Sequence, residues 1–397
     1  FLVGHIAFSH LWTAPLDPGL PDHTETMNNI SVMQKPVQMW LEMRSSHMEN
    51  AKNLEWVAGD PIVGHLFPVL YLLNKENGGI GLSENLRQKA RFAYLETHAR
   101  WMVREKRLSE ILNILYSENI DVIPLKGGIL RSQLYQNSGI RRMGDIDLLV
   151  RASQYLQAAY LIQESGFVLH PEIGFENLAV LTGKPVAALP AEIMFVDDQN
   201  SGLVLEIHRH LVSTPWFIPG FDINLNEIWG RAIPATEDID PQGLWKTILS
   251  PVDTLASLVL HLALHGLQAM QTYLDVDLWI RNLPETWDWE RFLDLVDQWR
   301  IRSAVYHALL ISRHFMDTPL PAGLLKRLDP GWLARLRVRL LITPESILSN
   351  SPTLGRRYPT LVKLALIDSL PLIVTTLLKL AFPRKAWRAH NPSRRSL

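Results

Sequence analysis

The sequence has no cysteine among its 397 residues. Disulfide bonds, thiolate zinc sites and cysteine nucleophiles are therefore excluded together. Net charge is almost absent too, because 39 Lys and Arg face 40 Asp and Glu and leave a formal charge of −1. No overall field attracts nucleic acid, so a polyanion site has to be a local patch of basic side chains. We expect no binding of DNA.

Long hydrophobic runs free of charge are also missing. The most apolar stretch, Leu361 to Phe382, contains Lys363, Asp368, Pro371 and Lys379, and charges are costly at the centre of a bilayer. We interpret it as a buried or groove-lying pair of helices without stable membrane insertion. Whether this stretch contacts a membrane surface or a partner stays open. The expected location is the cytoplasm.

The hydrophobic fraction of 47% and the charged fraction of 20% are typical of globular proteins. Helical spacing of apolar residues dominates before residue 110 and after residue 236, whereas short strand-like runs lie between. We predict an α+β fold. A small mixed-sheet module at residues 111–235 is embedded between helical regions at 1–110 and 236–397.

Strand-like runs occur at 121–125, 145–150, 191–196 and 203–208, and the last two flank a turn-rich loop that favours a β-hairpin. A helix is predicted from Ser153 to Glu164, ended by Gly166, and another is predicted to begin at Ser250-Pro-Val-Asp in the manner of a capped helix.

Asp145 and Asp147 stand two apart in the second of these runs, so both side chains point to one face of the strand. Their Cβ atoms are then about 6–7 Å apart, and carboxylates converging from that separation can share a hard cation such as Mg²⁺. Taken alone, the pair also fits the solvated end of a strand.

Lys126-Gly127-Gly128 closes the first run as a strand-to-helix turn. Two glycines allow close backbone approach, and outward-pointing amides at the start of a helix favour phosphate. Lys126 stands where its ammonium meets such a phosphate. A plain tight turn explains the same residues, and no G-x-x-x-x-G-K-[ST] phosphate loop is present.

Glu206 lies between apolar residues of the last run, where a buried carboxylate needs a partner, and a cation held by the two aspartates provides one. His208 shares the face of Glu206. It either supports this acid or contacts substrate, or else it is a hydrogen-bonded core histidine.

The order Gly-Gly, then Asp145-Ile-Asp, then a distant Leu205-Glu-Ile, resembles the DNA polymerase β-type nucleotidyltransferase superfamily. More narrowly, Ile123-Pro-Leu-Lys-Gly-Gly-Ile-Leu and Gly139-Ile-Arg-Arg-Met-Gly-Asp-Ile-Asp, followed by Leu205-Glu-Ile-His, resemble the bacterial family of uncharacterised nucleotidyltransferases. The likeness spans roughly residues 60 to 320. Gly144 replaces an apolar residue, the glycine-to-aspartate gap is long, and the third acid is glutamate where aspartate is common.

The resemblance implies a metal-dependent transfer of a nucleoside monophosphate from an NTP such as ATP to an unidentified hydroxyl. Asp145, Asp147 and Glu206 hold two Mg²⁺ or Mn²⁺ ions in that reaction. Lys126, Gly127 and Gly128 grip phosphates, and Arg141 or Arg142 neutralises the triphosphate, unless these arginines simply belong to a solvated loop.

Further candidates for contacting the acceptor or supporting the site are Asp277 and His265. Asp277, in Tyr273-Leu-Asp-Val-Asp-Leu, resembles a recurring acid of the family, although a helix cap or an ion pair fits it equally. His261 and His265 have a spacing that can bind metal on a helix, but helix packing or acceptor contact is the better interpretation.

Three other functional classes compete with the nucleotidyltransferase interpretation. A non-catalytic nucleotide-binding or interaction module that retains the fold ranks second. A D-x-D glycosyltransferase leaves the Lys-Gly-Gly turn and the Leu-Glu-Ile strand unexplained. An EF-hand lacks the remaining oxygen ligands after Asp147.

Overall fold

The computed structural model describes residues 37–38, 41, 63–76, 82–135, 139–171, 177–199, 201–213, 217–267, 270–342 and 358–381. Over this part of the chain a mixed β-sheet lies among helices. The α+β class predicted from the sequence is therefore confirmed.

Helices before, within and after the sheet region account for most of the described chain. They are α1 (Phe67–Glu76), α2 (Glu84–Ser117), α3 (Gly127–Leu130), α4 (Tyr155–Glu164), α5 (Leu225–Arg231), α6 (Pro251–Leu264), α7 (Met270–Arg281), α8 (Trp289–Trp299), α9 (Arg302–Met316), α10 (Leu324–Arg327), α11 (Trp332–Arg339), α12 (Tyr358–Ala365) and α13 (Leu370–Ala381).

Five strands form the main sheet, in the order β1-β2-β5-β4-β3. They are β1 (Val122–Pro124), β2 (Ile146–Val150), β3 (Phe167–Leu169), β4 (Glu192–Asp197) and β5 (Val204–His208), and a separate ribbon pairs β6 (Ile233–Pro234) with β7 (Thr247–Ile248). β2 and β5 run parallel, and the other neighbouring strands run antiparallel. The predicted hairpin is confirmed as β4 and β5.

The alternation of side chains along the strands divides the interior into two cores. On one face, residues such as Ile146, Leu148 and Ile207 join a cluster with buried residues of α2 and α4. On the other face, Ile123 and Leu149 join the larger cluster that contains the buried residues of α6 to α9. Asp147 shares the face of Leu149, so its carboxylate points toward the C-terminal helices.

Two helix ends follow the sequence signals. The side chain of Ser250 accepts a hydrogen bond from the amide of Asp253 at the start of α6, with Pro251 in the first turn. α4 ends next to Gly166, which has a φ of +88° that a side chain would strain. The predicted division at residue 110 falls within α2. The domain limits as a whole stay a prediction.

The apolar stretch that begins at Leu361 is helical, as predicted, and forms most of α12 and α13; Phe382 lies outside the described residues. Val362 and Leu364 of α12 are buried, whereas Val374, Leu377 and Leu378 of α13 are exposed. Among the described helices, none is long and apolar enough to span a bilayer.

Asp368, between α12 and α13, caps a different helix. Its carboxylate accepts hydrogen bonds from the amides of Arg302 and Ser303 at the start of α9, at 2.8 and 2.9 Å. Ile301 precedes that helix and provides no side-chain cap. The C-terminal segment is thereby joined to α9.

Burial raises the pKa of Asp368 to about 6, although these amide bonds partly oppose it. The unfolded value is about 4, so the folded protein binds more protons between pH 4 and 6 and its free energy of unfolding falls as pH rises through that window. We expect Asp368→Asn to lose this decrease. Denaturant titrations at pH 4, 5, 6 and 7 measure the slope, and parallel slopes in both proteins would contradict the assignment.

Candidate active site

A cleft of about 700 Å³ opens over the face of the sheet that is directed toward the C-terminal helices. Its walls come from β2, β4 and β5 and from α2, α6, α7 and α12. Charged residues of both signs line it. The sheet thus places the three acids predicted from the sequence, Asp145, Asp147 and Glu206, in one cavity.

Asp147 and Glu206 are direct neighbours because β2 and β5 pair in parallel with these residues in register. One ligand atom from each of Asp147, Glu206 and His208 lies within 4.8 Å of the others, a spacing that can hold a metal ion. All three are buried. The strand pairing, which joins residues 59 apart in sequence, creates this group.

Asp145 lies at the mouth of the cleft, just before β2, with its side chain exposed. It is not part of the group within 4.8 Å. The surrounding protein atoms remove part of its solvent, and this, followed by the charge of Asp147, raises the pKa of Asp145. A cation beside Asp145 would relieve both effects.

Lys126 and His208 both contact one oxygen of Asp147. Lys126 Nζ is 2.6 Å and His208 Nε2 is 2.8 Å from Asp147 Oδ1. Burial opposes the ionised form of Asp147, but the charge of Lys126 and the hydrogen bond from His208 outweigh it, so the pKa of Asp147 lies well below its usual range. Asp147 is therefore a carboxylate at every physiological pH.

The backbone of Lys126 has φ 48° and ψ −124°, a region that residues other than glycine rarely adopt. This conformation turns the side chain from the end of β1 into the cleft. Burial opposes its charge, yet the carboxylates of Asp147, Glu206 and Asp145 outweigh burial and raise the pKa of Lys126. Lys126 stays cationic among the acids.

His208 is buried between two acids, with Nε2 also 3.4 Å from Glu206 Oε2. Burial opposes protonation, but hydrogen bonds to Asp147 and Glu206 and the charge of Asp147 raise the pKa of His208 to about 9. It supports the acids, which is one of the roles that the sequence left open for it.

The donors in this group fit a hard divalent cation. Asp147, Glu206 and Asp145 offer the carboxylate oxygens that Mg²⁺ and Mn²⁺ prefer. The same acids keep Lys126 and His208 protonated despite burial, so the local environment favours positive charge. Asp147 Oδ1 already has two cationic partners, whereas no hydrogen bond to Asp147 Oδ2 occurs among the described residues.

The Gly-Gly turn differs from its prediction. The amide of Gly128 donates to the carbonyl of Leu125 at 3.1 Å, so it does not point into the cleft as predicted. Gly127 lines the cleft, but its lack of a side chain serves another purpose, because a Cβ there would lie 2.1 Å from Arg141 Nη1. The turn makes room for an arginine.

Arg141 is held by Asp275 of α7. Its Nε and Nη2 donate to the two carboxylate oxygens at 3.0 and 2.7 Å, and Tyr135 Oη donates to Asp275 at 2.6 Å. Burial opposes the charge of Arg141, but the charge and hydrogen bonds of Asp275 outweigh burial and raise the pKa of Arg141 above its ordinary value. The pair joins the loop before β2 to the C-terminal helices. Arg141 still borders the cleft.

Asp277 is not among the residues that line the cleft. It is fully buried on α7, paired with Arg281 at 2.7 Å and bonded to Thr318. The sequence had left this ion pair open as the alternative. Because residues two apart on a helix point to nearly opposite sides, Asp275 faces the cleft in its place.

Other residues at the cleft were missed at the sequence level. Arg100 and Arg104 of α2 join the predicted Arg142, and Glu192 of β4 and Lys363 of α12 lie on another wall. Glu192 lies in an alternating run, but the residues that it meets depend on the register of the hairpin, which pairs it with His208. The α2 and α12 residues gave no local signal.

His261 and His265 both border the cleft, with ring centroids 4.2 Å apart. Burial, followed by the charge of Lys126, lowers the pKa of each, to about 4 for His265. Both are therefore neutral at physiological pH.

The chain matches a protein family described as uncharacterised nucleotidyltransferases over residues 62–317. The chain belongs to this family. The match includes Lys126, both aspartates, Glu206 and Asp275 but ends before Lys363. No curated protein matches the chain at a significant level. Membership in a nucleotidyltransferase family indicates a transferase, and the acids of its sheet form the group that can hold a metal ion.

Proposed function

We propose that this nucleotidyltransferase moves a nucleoside monophosphate from an NTP, with ATP as one candidate, to the hydroxyl of a small molecule, a peptide or protein, or an RNA end. The observation that carries the proposal is the in-register pairing of Asp147 with Glu206 inside a cleft that Asp145 also lines. The cytoplasm, which supplies NTP and Mg²⁺, suits this reaction.

Asp145, Asp147 and Glu206 hold the cations in this proposal, and His208 fixes the orientation of the two buried acids. Mg²⁺ or Mn²⁺, expected as two ions, supplies charge stabilisation for the attacking and leaving oxygens of an in-line displacement. Glu206 accepts the proton of the acceptor hydroxyl. The hydroxyl oxygen bonds to the α-phosphorus, the bond to the bridging oxygen breaks, and pyrophosphate leaves.

The triphosphate lies along the side of the cleft lined by Arg100, Arg104 and Arg142, with Lys126 and Gly127 near its inner end. Arg104 is fixed for this contact, since it donates to the carbonyls of Met143 and Gly202, both at 2.7 Å. Arginine clusters of this kind recognise phosphate oxygens. Arg141 supports the wall through Asp275.

The test incubates the purified protein with each α-³²P-labelled NTP, Mg²⁺ or Mn²⁺, and a lysate of its source cells. We expect label on a protein, RNA or small-molecule fraction. We expect none with Asp145→Asn, because the variant lacks a carboxylate that holds the cations. Asp145 is exposed, so its replacement should leave the core folded. Asp198→Asn, on the exposed loop between β4 and β5, is the matched control and should label normally.

The runner-up function is a module that binds a nucleotide without catalysis. Label equal in wild type and Asp145→Asn would refute the metal-site proposal. The runner-up would replace it if no NTP gave label while calorimetry still detected NTP binding. Absence of both label and binding would leave an interaction module that keeps only the fold.

A further inference from the structure

The two ends of the cleft differ in chemistry. The central acids lie at the register pair Asp147 and Glu206. Toward the beginning of β2 lie Asp145 and Arg104, which bonds to the carbonyls of Met143 and Gly202 just ahead of the two parallel strands. This is the arginine-rich end, and the proposed triphosphate side.

Beyond the other ends of β2 and β5 the lining changes. His208 pairs across the sheet with Glu192, and β5 continues into Leu211 and Ser213. Leu258, His261 and Leu264 of α6, together with His265 directly after it, complete this part of the wall. We call it the leucine–histidine end.

Lys363 of α12 belongs to this second end. The charge of Lys363 helps to lower the pKa of His265, and the charge of Glu192 helps to raise the pKa of Lys363. Its Nζ lies 5.9 Å from the centroid of the Phe217 ring. In the described part of the chain, no carboxylate is within ion-pair distance of Lys363, although it is only partly exposed. An ammonium partly shielded from water gains most from an anionic partner.

The other cations near this end, Lys126 and His208, are both paired with Asp147 of the central group. Burial keeps the pKa values of His261 and His265 low, so both rings stay neutral. The arginines that suit a triphosphate lie at the opposite end. A ligand that pairs with Lys363 is therefore a different group from the triphosphate.

We propose that the acceptor binds at the leucine–histidine end and carries a carboxylate or phosphate that pairs with Lys363, while its hydroxyl reaches Glu206. This inference rests on the proposed function and gives its acceptor a chemical class. The bonds made and broken are those of the transfer above: the acceptor oxygen joins the α-phosphorus, pyrophosphate leaves, and Glu206 takes the proton. Lys363 binds the acceptor and plays no part in these bonds.

The position of Lys363 in the chain supports a role in acceptor choice. The family match ends at residue 317, and α12 begins at Tyr358. Val362 and Leu364, on either side of Lys363, are buried and pack α12 against the hydrophobic core. A segment outside the matched range therefore adds a cation to this end that, among the described residues, has no carboxylate within ion-pair distance.

The experiment measures pyrophosphate release with hydroxyl compounds that differ in one group. Glycerol and glucose are the neutral probes, glycerate and glucuronate carry a carboxylate, and glycerol 3-phosphate and glucose 6-phosphate carry a phosphate. We expect kcat/KM with at least one anionic set to exceed that of its neutral partners by ten-fold or more. The comparison of the two sets tells carboxylate from phosphate.

In Lys363→Gln we expect the KM for the preferred anionic probe to rise about ten-fold, which corresponds to about 1.4 kcal/mol. The KM for NTP and the rate with neutral probes should not change, and Lys363→Arg should retain the preference. Lys106→Gln, on the exposed side of α2, is the matched control.

Three outcomes would overturn the inference: equal use of neutral and anionic probes, a preference that survives in Lys363→Gln, or a higher KM for NTP in that variant. The last would assign Lys363 to the triphosphate. Pyrophosphate release with water alone separates this failure from that of the proposed function. If metal and NTP give no release under any condition, the transfer itself is wrong and the inference falls with it.

Discussion

Asp147→Asn is expected to lose metal-dependent nucleotidyl transfer by at least about 10³-fold, equivalent to about 4 kcal/mol of transition-state stabilisation. Asp147 contacts or pairs with each of the other members of the central group: Lys126, His208 and the neighbouring Glu206. Asparagine keeps the shape of the side chain but removes the charge that a cation requires. Steady-state release of pyrophosphate measures the loss.

The same variant should also be less stable, unlike the exposed Asp145→Asn. Lys126 and His208 lose the carboxylate that offsets their burial, and hydrogen bonds to charged groups contribute roughly 1.5–3 kcal/mol each at most. Thermal unfolding of both variants separates the effects. Activity within a few-fold of wild type in a folded Asp147→Asn protein would rule out the metal assignment.

Arg141→Met is expected to lower the free energy of unfolding by about 3–5 kcal/mol, because it leaves Asp275 as a buried charge with Tyr135 as its remaining partner. The double variant Arg141→Met, Asp275→Leu should recover most of that loss, since replacing both members of a buried ion pair by apolar residues is often nearly neutral. Urea denaturation of wild type, both single variants and the double variant completes the cycle.

Additive losses in that cycle would show that the pair is not coupled. The double variant also separates two roles of Arg141. If it supports the cleft wall alone, the recovered protein should keep its KM for NTP. If the guanidinium also meets the triphosphate, as the sequence suggested, KM for NTP should stay raised after stability has returned.

The main elements of the fold were readable from the sequence where local signals are strong. Ser250 before Pro251 and Gly166 after α4 mark helix ends through backbone chemistry that depends on nearby residues alone. The β4–β5 hairpin could be predicted because its turn-rich loop lies between two alternating runs. The predicted placing of the three acids in one cleft followed from the resemblance together with strand alternation.

The rest of the site depends on contacts between distant segments. Whether Asp275 or Asp277 faces the cleft is decided by how α7 packs, since both are buried and both are paired. Arg104 and Lys363 come from helices on either side of the sheet region. The direction of the Gly128 amide follows from one hydrogen bond to Leu125, which no pattern of residue types specifies.

Lys126 occupies a backbone conformation that suits glycine, and two glycines follow it. Holding a side chain there costs on the order of 1–3 kcal/mol that the remainder of the fold must offset. Glycine at this position would relax the turn and lose the ammonium beside Asp147. The backbone at position 126 and the acids of the cleft therefore favour different residues, and the pairing of Lys126 with Asp147 offsets the local conformational cost of keeping a side chain there.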